Sequence, residues 1–253
     1  MTQFYDMIAP FYDALNGDVD HAAWADLACR SFAEHFSGKV ESILDLGTGT
    51  GSLALELIQR GYDLIGVDSS EEMLSRARER AEALGVLDRF LLLCQDMTEF
   101  ELYGTVEAVV CCLDGINHLT EKGDLAKCFS LVHNYLVPDG LFLFDVNSPY
   151  TFENIYGDRD YILEDGDVLC AWQNWYRKKS GICDFGITLF VPDGEGRYLR
   201  KETVQRERMY SLRTLKNTLK ACGFEWIAAY GSASGDGVQE DSERIFVLAR
   251  AKK

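Results

Sequence analysis

The stretch ILDLGTGTGSL, residues 43–53, places three glycines on alternating positions directly after a short apolar run. Glycine weakens both strands and helices, so it is expected where the backbone must turn tightly or approach a bound molecule closely. Gly47, Gly49 and Gly51 come just before a helical pattern, and the first N–H groups of a helix are free to donate to a ligand. The stretch therefore predicts a loop that binds a small molecule, with a purely structural turn as the alternative.

An acidic residue, Asp68, ends the next apolar run, roughly 20 residues after the first glycine. An acid at this place can accept hydrogen bonds from both hydroxyls of a ribose. The dinucleotide pattern G-x-G-x-x-G would need its third glycine where Ser52 stands, and Asp45 also departs from that pattern. We therefore expect a nucleoside-containing cofactor, and a nicotinamide-dependent oxidoreductase is the less favoured interpretation.

Short apolar runs alternate with amphipathic stretches through the first 150 residues. The pattern predicts strands at 42–46, 62–68, 89–95, 106–113 and 140–147, and helices at 20–36, 52–60, 69–84 and 123–136. Continuous apolar strands that alternate with helices indicate a doubly wound parallel sheet with both faces covered. This sheet would bring the glycine loop and Asp68 to one edge, where ligands bind in such folds.

The pattern changes after residue 150. Alternating strand-like runs separated by the turn sequences KSG and PDGEG predict an antiparallel insertion, and a helix at 211–224 and a closing strand follow. We divide the chain into an N-terminal helical segment with the cofactor-binding core (1–149), an antiparallel lid (150–210) and the remainder of the core (211–253).

The succession of DLGTGTG, Asp68 in GVDSSEEML and CQDM after the third strand resembles the class I S-adenosylmethionine-dependent methyltransferases. The resemblance covers about residues 40–147 together with the closing helix and strands. It implies an α/β, Rossmann-like, mostly parallel seven-stranded sheet with S-adenosyl-L-methionine as cofactor and S-adenosyl-L-homocysteine as product.

The same resemblance implies roles for individual residues. Asp45 would lie near the cofactor's ammonium, Asp68 would bind the ribose and Asp96 the adenine amino group. The N-terminal FYDMIAPFYD is similar to a segment that folds over the cofactor in small-molecule methyltransferases, although ordinary packing of a helix is the alternative. The other implied cofactor residues are Tyr5, Tyr12, Gly47, Thr48, Gly49, Ser69, Met73, Met97, Leu113 and Asp114.

Methyl transfer from a sulfonium requires alignment and exclusion of water more than acid–base catalysis, so no catalytic residue is assigned. Asn117 and His118 follow the fourth strand and Asn147 ends the fifth, so these polar groups could contact the acceptor; structural roles are the alternative. The histidines show no metal-ligand spacing, and we predict no metal.

The lid combines aromatic and basic residues: Trp172, Tyr176, Arg206 and Arg208. Such a surface over the cofactor would suit a small acceptor with a carboxylate or phosphate. A solvated sheet face or a contact in a homodimer would explain the same residues. The oligomeric state stays open.

The chain has 47% hydrophobic and 26% charged residues, which is typical of a globular protein. Its net charge of −16 disfavours nucleic acid as a partner, and the absence of a signal-peptide pattern or a long apolar run predicts a cytoplasmic protein without membrane contact. We predict a methyltransferase acting on an oxygen or nitrogen of a small molecule. The alternatives are a tRNA or protein methyltransferase and a non-catalytic S-adenosylmethionine-binding protein.

Overall fold

The computed structural model describes residues 2–17, 19–194 and 196–253. Its strands form two sheets, one central and one covering. In chain order they are β1 (Ser42–Leu46), β2 (Asp63–Asp68), β3 (Phe90–Cys94), β4 (Val106–Cys111), β5 (Leu136–Asn147), β6 (Asp160–Asp165), β7 (Val168–Arg177), β8 (Ile182–Pro192), β9 (Tyr198–Arg208), β10 (Phe224–Tyr230) and β11 (Arg244–Ala251).

The central sheet of the described residues has seven strands in the order β10-β11-β5-β4-β1-β2-β3. Strands β1 to β5 pair in parallel, and β11 runs antiparallel to both β5 and β10. This confirms the predicted mostly parallel, doubly wound sheet. The order turns back between β1 and β4, and a crevice opens at the carboxyl ends of the strands at such a point.

The helices are α1 (Thr2–Ile8), α2 (Tyr12–Leu15), α3 (His21–His35), α4 (Ser52–Gln59), α5 (Glu71–Ala83), α6 (Asp124–Tyr135) and α7 (Leu212–Ala221). Side-chain oxygens cap three of them, because Asp20, Ser70 and Ser211 each accept a hydrogen bond from the backbone N–H three residues later. These caps fix where α3, α5 and α7 begin. No helix within the described ranges is long and apolar enough to cross a membrane.

Successive residues of the central strands point to opposite faces of the sheet, and both faces are buried. Ile43, Leu141 and Leu143 pack with α3, α4 and α5, whereas Phe142 and Phe144 pack with α6 and α7. The two buried faces explain why these strands are continuously apolar.

The covering sheet is antiparallel, with the strand order β6-β7-β8-β9. Strands β7, β8 and β9 were predicted; β6 and the π-helical turn Thr151–Tyr156 were not. The edge strand β6 reads DYILED, and acidic residues are depleted in strands, so its sequence carries little strand signal. Residues 138–140, Pro-Asp-Gly, lead into the strand predicted at 140–147 and form a bulged part of β5, in which Asp139 has a φ of +60°.

The covering sheet lies on the N-terminal segment. Its residues Cys170, Ile187 and Leu189 form one apolar cluster with Ile8 and Ala9. The N-terminal segment is therefore held beneath the covering sheet, close to the carboxyl edge of the central sheet. This arrangement encloses the candidate site described next.

Candidate functional site

The glycine loop connects β1 to α4 in a conformation that requires glycine. Gly47, Gly49 and Gly51 have φ values of +77°, +55° and +77°, in the left-handed region that side chains disfavour. A Cβ on Gly51 would also lie 3.1 Å from the ring of Phe90. The Gly49 N–H donates to Asp68 Oδ2 at 2.9 Å, so the loop and the acid at the end of β2 are joined directly.

A cleft of about 1100 Å³, counted to its open mouth, follows the carboxyl edge of the central sheet. Its wall contains every residue that the sequence assigned to the cofactor except Asp114. Those lining residues are Tyr5, Tyr12, Asp45, Gly47, Thr48, Gly49, Asp68, Ser69, Met73, Asp96, Met97 and Leu113. Among the proposed acceptor residues, His118 lines the cleft.

Two carboxylates lie in the central part of the cleft, Asp45 buried and Asp68 partly exposed. Asp45 accepts a hydrogen bond from Thr48 Oγ1 at 2.7 Å, and burial raises its pKa to about 7. Asp68 accepts one backbone N–H on each oxygen, from Gly49 and from Ser70, both at 2.9 Å. Burial raises the pKa of Asp68 while these N–H groups oppose the rise. Each oxygen of Asp68 keeps a further lone pair, as two ribose hydroxyls would need.

The far end of the cleft is formed by the loop after β3. Asp96 Oδ1 accepts hydrogen bonds from the backbone N–H and the hydroxyl of Thr98 at 2.7 and 2.6 Å, which fixes the carboxylate at the cleft wall. Met97 lies beside Gly47, within 3.6 Å of the place where a Cβ would be. An apolar side chain and an acid at one end suit an adenine ring and its amino group.

Two tyrosines of the N-terminal segment line the opposite wall. Tyr5 Oη and His118 Nε2 are 2.7 Å apart, and the rings of Tyr5 and Tyr12 meet edge to face at 6.2 Å. Burial, helped by the nearby carboxylates of Asp68 and Asp114, raises the pKa of both tyrosines. Both hydroxyls therefore stay protonated and can donate a hydrogen bond within the cleft.

The loop after β4 places Asp114 and His118 together. Leu113 and Asp114 both have a φ of +55°, a left-handed conformation that non-glycine residues adopt at a cost of about 1–3 kcal/mol each. The turn ends β4 at Cys111, before the predicted boundary at 113. It is held by the N–H of Asp114, which donates to Asp145 Oδ2 at 3.2 Å.

A third polar group, Glu207 of β9, completes a cluster that we call the acceptor cluster: Asp114, His118 and Glu207. One ligand atom from each lies within 4.8 Å of the others, a spacing that a metal ion could also use. Burial and the Asp114 carboxylate raise the pKa of Glu207 well above its usual range. Burial lowers the pKa of His118, whose Nδ1 lies 2.8 Å from Gln205 Nε2.

A largely buried cation lies next to the acceptor cluster. Arg244, at the start of β11, binds Asp145 and Asp114, and its contact with Asp114 measures 3.0 Å. The guanidinium also lies 5.3 Å from the ring centre of Trp24. Burial raises the pKa of Asp145 although Arg244 opposes the rise. Arg244 thus pairs with two carboxylates, while the third, Glu207, lies with Asp114 in the acceptor cluster.

The structure brings some of the proposed acceptor residues to this cluster. Asn147 Nδ2 donates to Glu207 at 3.1 Å and to Tyr156 Oη at 3.0 Å. Asn117 connects the loop after β4 to β9 and β5. Its Nδ2 donates to the carbonyl of Arg208, and its Oδ1 accepts from the backbone N–H of Asn147. Asn147 therefore faces the cluster, and Asn117 supports it.

The aromatic and basic residues of the lid divide between the two faces of the covering sheet. Trp172 packs against Phe185, and Tyr176 packs near Phe152, on the inner face of the covering sheet. Arg206 binds Asp184 at 2.6 Å, on the outer face of that sheet.

Arg208 donates to the carbonyls of Thr120 and Ser180. Because side chains alternate along a strand, the face opposite Arg206 and Arg208 carries Gln205 and Glu207, which are buried. The sequence predicts that side chains alternate along β9, but it does not indicate which face of the strand points inward.

Comparisons with known proteins agree with this geometry. The family model "Methyltransferase domain" matches residues 43–140. A predicted methyltransferase of Geobacillus sp. strain WCH70 is 30% identical over 246 residues, 97% of this chain and 99% of the relative. A glycine/sarcosine N-methyltransferase of Halorhodospira halochloris is 29% identical over 219 residues, 83% of this chain and 75% of the relative.

A solved structure is similar over nearly its whole length. The crystal structure of an S-adenosylmethionine-dependent methyltransferase from Clostridium acetobutylicum superposes with a TM-score of 0.87 at 30% identity. The match covers 98% of this chain and 99% of that protein. The similarity therefore includes the covering sheet as well as the central one.

Proposed function

Because this chain belongs to the class I S-adenosylmethionine-dependent methyltransferases, we propose that it methylates the nitrogen of a small amine. The observation that supports this proposal most strongly is the acceptor cluster beside the cleft. The sequence predicted an oxygen or a nitrogen as methyl acceptor, and the charge of this cluster favours nitrogen.

The acceptor cluster and its surroundings contain more acids than bases. Asp114 and Asp145 pair with one permanent cation, Arg244, and Glu207 lies beside Asp114 in a region largely shielded from water. Burial raises the pKa values of Asp145 and Glu207, and the neighbouring Asp114 carboxylate raises them further, because buried negative charge is costly. An ammonium group supplies the missing positive charge, whereas an alcohol does not. An acceptor with a carboxylate would have to hold it away from this cluster.

The residues of the chain can prepare an amine for attack. The cofactor, when bound, supplies a methyl group on a positively charged sulfur. The amine needs a free lone pair, so an ammonium ion must first give up a proton. A bound ammonium favours the ionised form of Glu207, and the raised pKa makes this carboxylate a stronger base for that proton. The nitrogen–carbon bond then forms as the carbon–sulfur bond breaks. Tyr5 and Tyr12, beneath the covering sheet, help to exclude water and to align the two reactants.

The relative from Halorhodospira supports nitrogen as acceptor, since its name specifies N-methylation of glycine and sarcosine. A macromolecular acceptor fits less well. The basic side chains Arg206 and Arg208 already bind Asp184 and backbone carbonyls. The net charge of −16 also repels a phosphate backbone.

The test uses acceptors in matched pairs, each an amine and an alcohol with the same carbon skeleton. Initial rates of methyl transfer from S-adenosylmethionine are measured with the wild type and Glu207→Gln, which keeps the size of the side chain but cannot accept the proton. We expect transfer to amines and not to alcohols. In Glu207→Gln we expect kcat/KM for the amine to fall by about 100-fold or more, with unchanged affinity for S-adenosylhomocysteine.

Arg206→Gln is the matched control, because Arg206 is adjacent on β9 and its side chain lies on the outer face. It should retain the wild-type rate. Equal rates for alcohols and amines, methyl transfer to tRNA in place of small amines, or equal rates in the two variants would contradict the proposal. Activity that disappears with a chelator and returns with a divalent metal would assign the acceptor cluster to a metal instead.

A further inference from the structure

A histidine at the start of α3 forms part of the cleft wall and has an unused ring nitrogen. His21 Nε2 is buried, and within the described residues it has no hydrogen-bond partner. Its ring lies near that of Trp24, and the hydroxyl-bearing Thr50 and Ser52 line the same cleft. A buried polar atom without a partner is costly, so its presence in a ligand cleft indicates a group that the ligand supplies.

The position of His21 identifies which part of the cofactor would meet it. Asp96 follows β3 at one edge of the central sheet, and Asp68 ends the adjacent strand β2. His21 lies near Trp24, which packs on Phe246 of β11 in the other half of the sheet. A ligand with its ribose at Asp68 and its adenine at Asp96 therefore extends its amino-acid end toward His21.

The amino-acid end carries an ammonium and a carboxylate, and the cleft is poorly supplied with partners for the carboxylate. Among the described residues that line it there is neither a lysine nor an arginine, and the basic side chains are His21 and His118. Both ring nitrogens of His118 already face partners, Tyr5 and Gln205. Asp45 can hold the ammonium, which leaves His21 for the carboxylate.

We propose that His21 Nε2 donates a hydrogen bond to the carboxylate of S-adenosylmethionine and thereby recognises the amino-acid end of the cofactor. The inference rests on the cofactor assignment and not on the nature of the methyl acceptor. Burial, with Arg80, lowers the pKa of His21, whereas Asp13, Glu56 and the backbone of Val19 raise it. A carboxylate at Nε2 would add a further upward effect and favour the ring that donates there.

The test compares two ligands that differ in the group His21 would bind. S-adenosylhomocysteine carries the amino-acid end, and 5′-methylthioadenosine has the same nucleoside and sulfur without it. Affinities are measured calorimetrically for the wild type, His21→Leu and His21→Gln. In His21→Leu, affinity for S-adenosylhomocysteine should fall by about 10- to 100-fold, while affinity for methylthioadenosine changes less than about twofold. His21→Gln, which can still donate, should recover much of the loss.

His35→Leu is the matched control, since it makes the same chemical change at the other end of α3. It should leave both affinities unchanged. An equal loss of both ligands in His21→Leu would show that His21 only shapes the cleft, and no loss of either would remove it from the site; both results overturn the inference. Because no acceptor is present, neither result bears on the amine proposal, which depends on Glu207→Gln.

Discussion

Replacing Asp45 with asparagine should stabilise the free protein and weaken its binding of the cofactor. Asp45 is only 2% exposed, and in the absence of ligand its main polar partner is Thr48. Burial raises its pKa from 3.8 to about 7, so at pH 8 the folded protein holds a buried carboxylate at a cost. Asparagine has nearly the same shape and can still accept the Thr48 hydrogen bond, so the substitution removes mainly the charge.

The size of the expected stability change follows from the rise in the pKa of Asp45. One pKa unit corresponds to about 1.36 kcal/mol, so a rise of about three units corresponds to roughly 4 kcal/mol when fully titrated. Because the folded state binds the proton more tightly, Asp45 makes the wild type more stable as the pH falls from about 7 toward 4. Asp45→Asn lacks this dependence. The free energy of unfolding of the variant should exceed that of the wild type most at pH 8, and this difference should be roughly 2–3 kcal/mol smaller at pH 5.

The assay is urea unfolding of the ligand-free proteins at pH 8, 6.5 and 5, with tryptophan fluorescence as signal. Asp63→Asn, which alters an exposed partner of Arg89, serves as control and should change stability by less than about 1 kcal/mol at each pH. In parallel, Asp45→Asn should weaken binding of S-adenosylhomocysteine by about 1.5–3 kcal/mol, since the ligand's ammonium loses an ionic partner. A stability difference that stays constant with pH, or a less stable variant at pH 8, would refute the reasoning.

Two further substitutions test the cofactor side and the acceptor side. Asp68→Asn should weaken binding of S-adenosylhomocysteine by about 1.5–3 kcal/mol in calorimetric titrations, and unchanged affinity would remove Asp68 from the ribose. Arg244→Met should lower the free energy of unfolding by about 3–5 kcal/mol, because Asp114 and Asp145 lose their buried cation. The matched control is Arg250→Met, on the same strand, which breaks a more exposed pair with Glu225. In urea unfolding it should lower the free energy of unfolding by about 1 kcal/mol or less. An equal decrease in the two variants would show that Arg244 does not compensate buried charge.

The central sheet and the cofactor side of the cleft were predictable because their signals are local. The glycine loop, the strand before it and Asp68 lie within 26 residues of one another, 43–68, and each leaves a pattern of apolar residues and turns. Parallel strands bring their carboxyl ends to one edge, so placing the strands also placed Asp68 and Asp96.

The acceptor side was less predictable because contacts between distant segments build it. Glu207 meets Asp114 only because β9 turns one of its two faces toward the loop after β4. The sequence showed that Arg206 and Arg208 share a face but not that the opposite face is buried. Arg244 is the first residue of the last strand, and no sequence motif marks its position. His21 lies at the start of the helix predicted at 20–36, but its unused ring nitrogen becomes visible only when its neighbours are placed.

The most direct measurement is a crystal structure of the protein with S-adenosylhomocysteine. The account predicts both ribose hydroxyls within hydrogen-bonding distance of Asp68, the carboxylate at His21 Nε2, and the sulfur facing the acceptor cluster of Asp114, His118 and Glu207. A ligand bound in the reverse direction, or one with its sulfur turned away from that cluster, would contradict it.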